Sequence, residues 1–458
     1  QISAASVVLG LPWWACLVAV AIGYSFCGFF IAMFARVGNY YHISFPVATR
    51  SSFGVWGSLW PIINRVVMAC VWFGVQTSIG GSCVELMLMS IFGTDLDTRI
   101  PNKIPVSSNI TSFKMLCFFL FWFAQLPLIY CPPHKLRFLF TAKAFICIPA
   151  GIAFLIWALV KAPDINNILT APSTIKGSEF GWVFVGAVMS CLSNLCTLIV
   201  NAPDFGRFAD SPNASFWTQM ISLPVAYTCT CLIGILVSAS SEALYGEPFW
   251  NPLDVLAKFL DHFSSGSRAG VFFISTAFAV SQLGSNIAAN SLSAGTDMTA
   301  ILPKFINIRR GGFICAAVGF AICPWNLMSS SSRFTTYLSA YSVFLSSIAG
   351  VMFCDYFIIK KGYLQVQDLY VADGSSPYYY SHGVNWRAYF AYICGILPNI
   401  VGFVGATETH VVPIGATYVY YFSYFTGYAA AASVLLIITL IFPVGGLPDG
   451  IGMLEFKF

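Results

Sequence analysis

Between Pro12 and Arg36 the chain reads PWWACLVAVAIGYSFCGFFIAMFAR, and the first charged side chain in that run is Arg36 itself. An α-helix rises about 1.5 Å per residue, so about 20 apolar residues cross the roughly 30 Å of bilayer hydrocarbon. This stretch is long enough to span. Comparable blocks return at 60–91, 112–131, 138–160, 180–202, 215–240, 269–296, 312–328, 334–359, 388–406 and 415–442, which makes eleven spans. Ahead of them, Gln1–Gly10 has a helical pattern too short to cross. The reading expects it to be the second half of a further, first helix whose start is missing, giving twelve in all.

Composition agrees. Of 458 residues, 58% are hydrophobic and 9% charged, with a mean hydropathy of +0.77. A soluble domain carries about a quarter charged residues, because its surface must face water. No basic run with interleaved aromatics points to nucleic acid. The fifteen cysteines are scattered through apolar spans without metal-site or disulfide spacing. No Ser-His-Asp set or phosphate loop suggests an enzyme. His42, His134, His262, His382 and His410 fall in expected loops. Neither a metal nor a cofactor is expected.

Lys and Arg set the orientation. With the N-terminal side cytoplasmic, thirteen basic residues fall inside, among them Arg65, Lys143, Arg207 and Lys360, and eight outside, before Lys457 at the end. This places the sequon Asn109-Ile-Thr outside and Asn213-Ala-Ser inside.

Polar groups at membrane depth are costly, so they face a bundle interior or a cavity. Trp72 and Gln76 lie four apart, on one helical face, with Gly80 and Gly81 just beyond. Ser190, Asn194, Thr197 and Asn201 form a stripe on the sixth helix of the twelve-helix scheme. Gln282, Asn286, Asn290 and Asp297 form another on the eighth. One reading of each amide is interhelical glue. The other is a site: an indole plane with uncharged amides, each offering donor and acceptor, suits a flat neutral heterocycle edged with N–H and C=O groups. Breaks at Asn201-Ala-Pro-Asp and Gly284-Ser285-Asn286 have the form of interrupted transporter helices.

At these residues the chain resembles the nucleobase–cation symporter-1 family, in its fungal uracil, allantoin and uridine permease branch. The carriers are Phe45-Pro-Val through Arg50-Ser-Ser-Phe-Gly, Trp72-Phe-Gly-Val-Gln76, Asn201-Ala-Pro-Asp-Phe-Gly-Arg-Phe, Ser285-Asn-Ile-Ala-Ala-Asn-Ser through Asp297, Ile306-Asn-Ile-Arg-Arg-Gly, Ala349-Gly-Val through Asp355-Tyr-Phe, and Asn385-Trp-Arg-Ala. The resemblance implies an all-α membrane protein with a leucine-transporter-like five-plus-five inverted repeat. The halves fall at 1–160 and 180–359, and two added helices at 388–442, within one transporter domain.

It further implies alternating access and cation-coupled uptake at the plasma membrane. In the family's bacterial hydantoin transporter, third-helix Trp and Gln and an eighth-helix Asn hold the ligand; they match Trp72, Gln76 and Asn290. That relative's second Trp, on the sixth helix, is replaced here by Leu195 or Asn194. Its sodium-binding hydroxyls are met by Gly284 and Ser285, which favours a coupling proton over sodium. Leu338 and Tyr341 are implied as outer-gate or selectivity residues. Asp297 and Arg207 are inner-gate or proton candidates, with Asp204 behind them; solvated helix-end charges are the other reading. Uracil is the expected cargo, with allantoin or uridine as alternatives. A thiamine or nicotinamide riboside carrier, or a non-transporting sensor on the same scaffold, are further readings. Expected partners are the small heterocycle, a proton and the lipid bilayer.

Overall fold

The computed structural model describes residues 2–162, 170, 172–213, 215–261, 264–407 and 411–444. The side chains of Ile2, Pro133, His134 and Leu338 lie outside that description, as do His262, His410 and Lys457 entirely. Among the described residues the chain is helical, and its one β-bridge joins Ser381 and Val384.

In chain order the α-helices of five residues or more are α1 (Ile2–Val8), α2 (Trp13–Tyr41), α3 (Phe45–Phe53), α4 (Leu59–Phe92), α5 (Ser112–Tyr130), α6 (Arg137–Lys161), α7 (Gly177–Val200) and α8 (Ala202–Gly206). They continue as α9 (Phe216–Tyr245), α10 (Pro252–Lys258), α11 (Ser265–Asn286), α12 (Leu292–Ile301), α13 (Ile308–Ala321), α14 (Ser331–Phe353), α15 (Trp386–Thr407), α16 (Ile414–Tyr421) and α17 (Ser423–Ile441). Ten helical segments among the described residues are long and apolar enough to span a bilayer.

Two expected spans differ from the sequence reading. The block at 312–328 is a short α-helix, α13, followed by a 3-10 turn at Pro324–Ser329. The last block is divided at Phe422 between α16 and α17. Side chains such as Phe119, Phe123, Ile152, Ile156, Trp217 and Ile221 are exposed on spanning helices, where lipid satisfies them.

Helix starts carry the local chemistry that fixes them. Thr111 accepts from the Lys114 amide at 3.3 Å, Ser264 from Ser267 at 3.2 Å, and Asn307 from Arg310 at 3.0 Å. Each oxygen satisfies an amide that has no partner in the first turn.

The chain divides into two compact units. The first holds residues 1–18, 66–180 and 229–335. One of its cores gathers Cys83, Phe154, Leu256, Phe259 and Val271, and another Phe73, Ile129, Ala294 and Cys315. Glycines let its backbones touch: a Cβ on Gly74 would stand 2.5 Å from the Gly319 carbonyl, and one on Gly81 2.8 Å from the Phe118 backbone. Without a hydrophobic drive between helices in lipid, such close approach supplies the packing.

The second unit holds residues 19–65, 181–228 and 336–458. Val37, Ile43, Tyr356, Leu369 and Tyr378 form one of its cores. Three motifs meet in it around buried charge. Lys360 Nζ donates to Asp355 Oδ2 at 2.5 Å, to the Ser51 carbonyl at 2.6 Å and to Tyr380 Oη at 3.2 Å. Ser52 Oγ donates to the same Asp355 oxygen at 2.9 Å, and Asn385 Nδ2 to the Ser52 carbonyl at 2.7 Å. Lys360 is therefore a buried, fully bonded ammonium rather than the solvated loop charge expected of it.

Candidate functional site

In the first unit, α4 presents Trp72 and Gln76 at successive turns of one face. The Trp72 indole meets the Phe334 ring edge-on, with centroids 6.2 Å apart. Gln76 Oε1 is buried and accepts no hydrogen bond among the described residues. A buried acceptor left unpaired costs about 1–3 kcal/mol, which a ligand N–H would recover.

Asn290 is 7% exposed and lies within a π-helical turn, Ile287–Ser291, between α11 and α12. Turns of this kind are rare and occur frequently at functional sites. The helix runs unbroken through Gly284-Ser285-Asn286; its irregularity begins at the next residue, not where the sequence reading put it. By contrast, α7 does end at Asn201, where α8 begins.

Asn290 Nδ2 donates to Asn286 Oδ1 at 2.8 Å, so its own Oδ1 is the acceptor left for a ligand. Asn286 Nδ2 in turn reaches Gln125 Oε1 at 2.7 Å, the Phe73 carbonyl at 3.0 Å and Thr77 Oγ1 at 3.2 Å. Gln125 Nε2 closes the network on Thr77 Oγ1 at 3.0 Å. Asn286 and Gln125, both wholly buried, thus tie the π-helical turn and α5 to the stretch of α4 that carries Trp72 and Gln76. Gln125 escaped the sequence reading; a lone amide in an otherwise apolar span was its one signal.

Lys143 was expected in a cytoplasmic loop. It lies in α6, and its Nζ donates to Ser285 Oγ at 2.6 Å. Gly284 gives the stem passage: a Cβ there would stand 3.1 Å from Lys143 Cδ. The Lys143 ammonium thus occupies the Ser285 hydroxyl. Asp297, in α12, is fully buried in this unit.

In the second unit, Asn194 Nδ2 donates to Tyr24 Oη at 3.2 Å, and Tyr24 stacks on Tyr227 at 4.3 Å. Leu195 is 3% exposed, within the packed interior. Tyr341 Oη donates to the Ser193 carbonyl at 2.5 Å, tying α14 to α7. Leu338 lies one turn before Tyr341 on α14.

Asp204 is paired with Arg65, which the sequence reading had placed in a loop. Arg65 is 2% exposed, and its Nη2 stands 3.5 Å from Asp204 Oδ2. Asp204 Oδ1 also accepts from the Phe45 amide at 2.8 Å, so one carboxylate caps α3 and holds α4. With the Asn201 amide turned to satisfy its neighbours, its oxygen accepts from Arg65 Nη1 at 2.5 Å. Arg207 lies beside them, its guanidinium 4.8 Å from the Phe208 ring and its carbonyl 2.9 Å from His42 Nδ1.

Spanning helices, a π-helical turn carrying an amide, and an uncommitted glutamine oxygen on the helix face of an indole describe a multi-pass membrane protein with polar groups inside its bundle. Residues 1–427 match the family model described as permeases for cytosine/purines, uracil, thiamine and allantoin. The chain belongs to that family. It is 49% identical to the allantoin permease of Saccharomyces cerevisiae over 98% of its own length and 71% of the relative's. It is 50% identical to the uridine permease of the same yeast, over 100% and 72%. Among solved structures, it superposes with a TM-score of 0.72 and 21% identity on Mhp1, a nucleobase-cation-symport-1 family transporter in a closed conformation with bromovinylhydantoin bound; 97% of this chain and 90% of that one are covered. The fold is therefore the leucine-transporter-like one that the motifs implied.

Proposed function

We propose that this permease imports a neutral nucleobase-type heterocycle, uracil first, by proton symport with alternating access across the plasma membrane. The observation that carries the cargo reading is the pair of amide oxygens, Gln76 Oε1 and Asn290 Oδ1, left for a ligand in the unit where Trp72 offers an aromatic face. Two acceptors and an indole suit a flat ring with two N–H groups. The absence of a formal charge among the three favours a neutral one. Allantoin also carries paired N–H and C=O groups, and uridine, whose N1 is bonded to ribose, keeps one ring N–H; these two are the alternatives.

Proton coupling rests on Lys143. A fixed ammonium on Ser285 Oγ repels sodium and takes the oxygen sodium would use. Loss of a proton from Lys143 would discharge this position. In this proposal residues 1–160 and 180–359 are the two inverted halves and 388–442 the added pair. Asn194 and Leu195 contact the cargo, and Leu338 and Tyr341 act at the outer gate or in selectivity. Asp297 in the first unit, and Arg207 and Asp204 in the second, are inner-gate or proton candidates.

Uptake of labelled uracil, allantoin and uridine by cells lacking their own permeases tests the assignment. Accumulation of one of them, driven by an inward proton gradient in sodium-free buffer and abolished in Asn290→Ala, is the expected result. Wild-type uptake in that variant removes Asn290 from the site, and a sodium requirement removes the proton.

A further inference from the structure

Two stretches of the first unit, 126–141 and 299–310, hold five Lys and Arg and no Asp or Glu. Both lie at ends of spans that the sequence reading puts in the cytoplasm. Large apolar side chains stand exposed among these charges: Tyr130, Phe138, Phe305 and Ile308. Basic residues interleaved with exposed rings at the end of a span suit the boundary between hydrocarbon and headgroups. An anionic cytoplasmic leaflet attracts each nearby Lys or Arg by about 1 kcal/mol.

Between the two stretches lies a cavity of about 440 Å³, within the size range of small-molecule sites. Leu128, Ile129, Leu136, Ile287 and Leu292 give it an apolar wall, and the exposed Asn307 and Arg309 form its open edge. Trp72, Gln76, Asn286 and Asn290 do not line it. Ile129 and Ile287 pack at the same time into the core around Phe73, so closed packing rather than open space leads from the cavity toward α4. Ile287 also belongs to the π-helical turn that carries Asn290.

Arg309 is uncommitted. Its guanidinium lies 5.1 Å from the Tyr130 ring centroid and donates no hydrogen bond among the described residues. Its neighbour Arg310 instead gives Nη1 to the Phe305 carbonyl at 2.7 Å. A guanidinium packed on a ring keeps its in-plane N–H groups for an oxyanion, which it takes with two parallel bonds. Arg309 is the second residue of α13, so the positive end of that helix adds to the attraction.

We propose that this cavity binds an anionic phospholipid of the cytoplasmic leaflet, its phosphate on Arg309 and part of one acyl chain along Leu128, Leu136 and Leu292. An apolar trough with a cation at its open edge matches both ends of that molecule. A soluble anion would leave the trough unfilled, and a lipid without net charge gains little from the five basic residues. A chain held there packs on Ile287 and so braces the turn that carries Asn290.

Lipid retention by the purified full chain tests this, read by native mass spectrometry after exposure to equal amounts of phosphatidylserine and phosphatidylcholine. Preferential retention of phosphatidylserine is expected. Arg309→Gln lowers that retention roughly tenfold, the scale of a lost charge-assisted hydrogen bond, and Arg309→Lys restores part of it. Lys304→Gln, which removes a charge outside the cavity, lowers it no more than a few-fold. Leu292→Trp, which fills the trough, lowers it as far as Arg309→Gln does. Added phosphatidylserine raises the melting temperature of the wild type but not of Arg309→Gln, whose melting without lipid matches the wild type because the side chain is exposed. Equal retention of the two lipids, or equal losses in Arg309→Gln and Lys304→Gln, leaves only a diffuse surface charge and overturns the site. Displacement of the lipid by soluble glycerophosphoserine, or wild-type retention in Leu292→Trp, overturns the place given to the acyl chain and with it the phospholipid.

Discussion

Replacing Asn286 by alanine removes an amide that no ligand needs to touch, yet it is expected to damage both stability and transport. Its Nδ2 reaches oxygens on α4 and α5, and its Oδ1 receives Asn290. Two N–H groups serve three acceptors, so the loss is about two interhelical bonds, each worth about 0.6–2 kcal/mol in a membrane. Gln125 Oε1 and Asn290 Nδ2 are then stranded at about 1–3 kcal/mol apiece before relaxation. Allowing for relaxation, a total of about 2–4 kcal/mol follows, or roughly a 30- to 900-fold change in an equilibrium constant. Thermal unfolding of the purified permease reads the first consequence as a lower melting temperature. Uptake kinetics read the second as a KM raised about tenfold or more, because Asn290 is no longer held in place. An Asn286→Ala protein with wild-type melting and wild-type KM would refute the reasoning, since the network would then hold nothing.

Gln76→Leu keeps the shape of the side chain and removes an oxygen that makes no protein hydrogen bond. Melting should be unchanged or improved while KM rises about tenfold or more, the cost of a ligand N–H losing its acceptor. Lys360→Met strands a buried Asp355 carboxylate and should destabilise the protein by about 3–5 kcal/mol. The double variant Asp355→Leu/Lys360→Met should recover most of that loss, because a buried pair is worth little against an apolar one; melting curves of the single and double variants decide it.

The spans were legible in the sequence because hydropathy measures what lipid demands. The pairing of Trp72 with Gln76 was legible because helical spacing puts residues four apart on one face. Polar groups that ended up buried were harder. Arg65, Lys143 and Lys360 stand near the ends of apolar blocks, where a loop charge and a buried charge look the same. What distinguishes them is a distant partner: Asp204 for Arg65, Ser285 for Lys143, and Asp355 with the Ser51 carbonyl for Lys360. Gln125 was missed for the same reason, since its partners Thr77 and Asn286 lie on other helices. The break expected at Gly284 was a fair reading of glycine. There, though, glycine serves a side chain, giving the Lys143 stem room, and the backbone irregularity falls at the π-helical turn that carries Asn290.

In the proposed site an indole and two amide oxygens of the first unit hold a flat, neutral, N–H-bearing ring. A cryo-EM structure of the permease with its transported heterocycle bound tests this most directly. Density for the ring is expected against Trp72, with its N–H edge within about 3.2 Å of Gln76 Oε1 and Asn290 Oδ1. Density lying elsewhere, with those two oxygens still without a ligand, would contradict it.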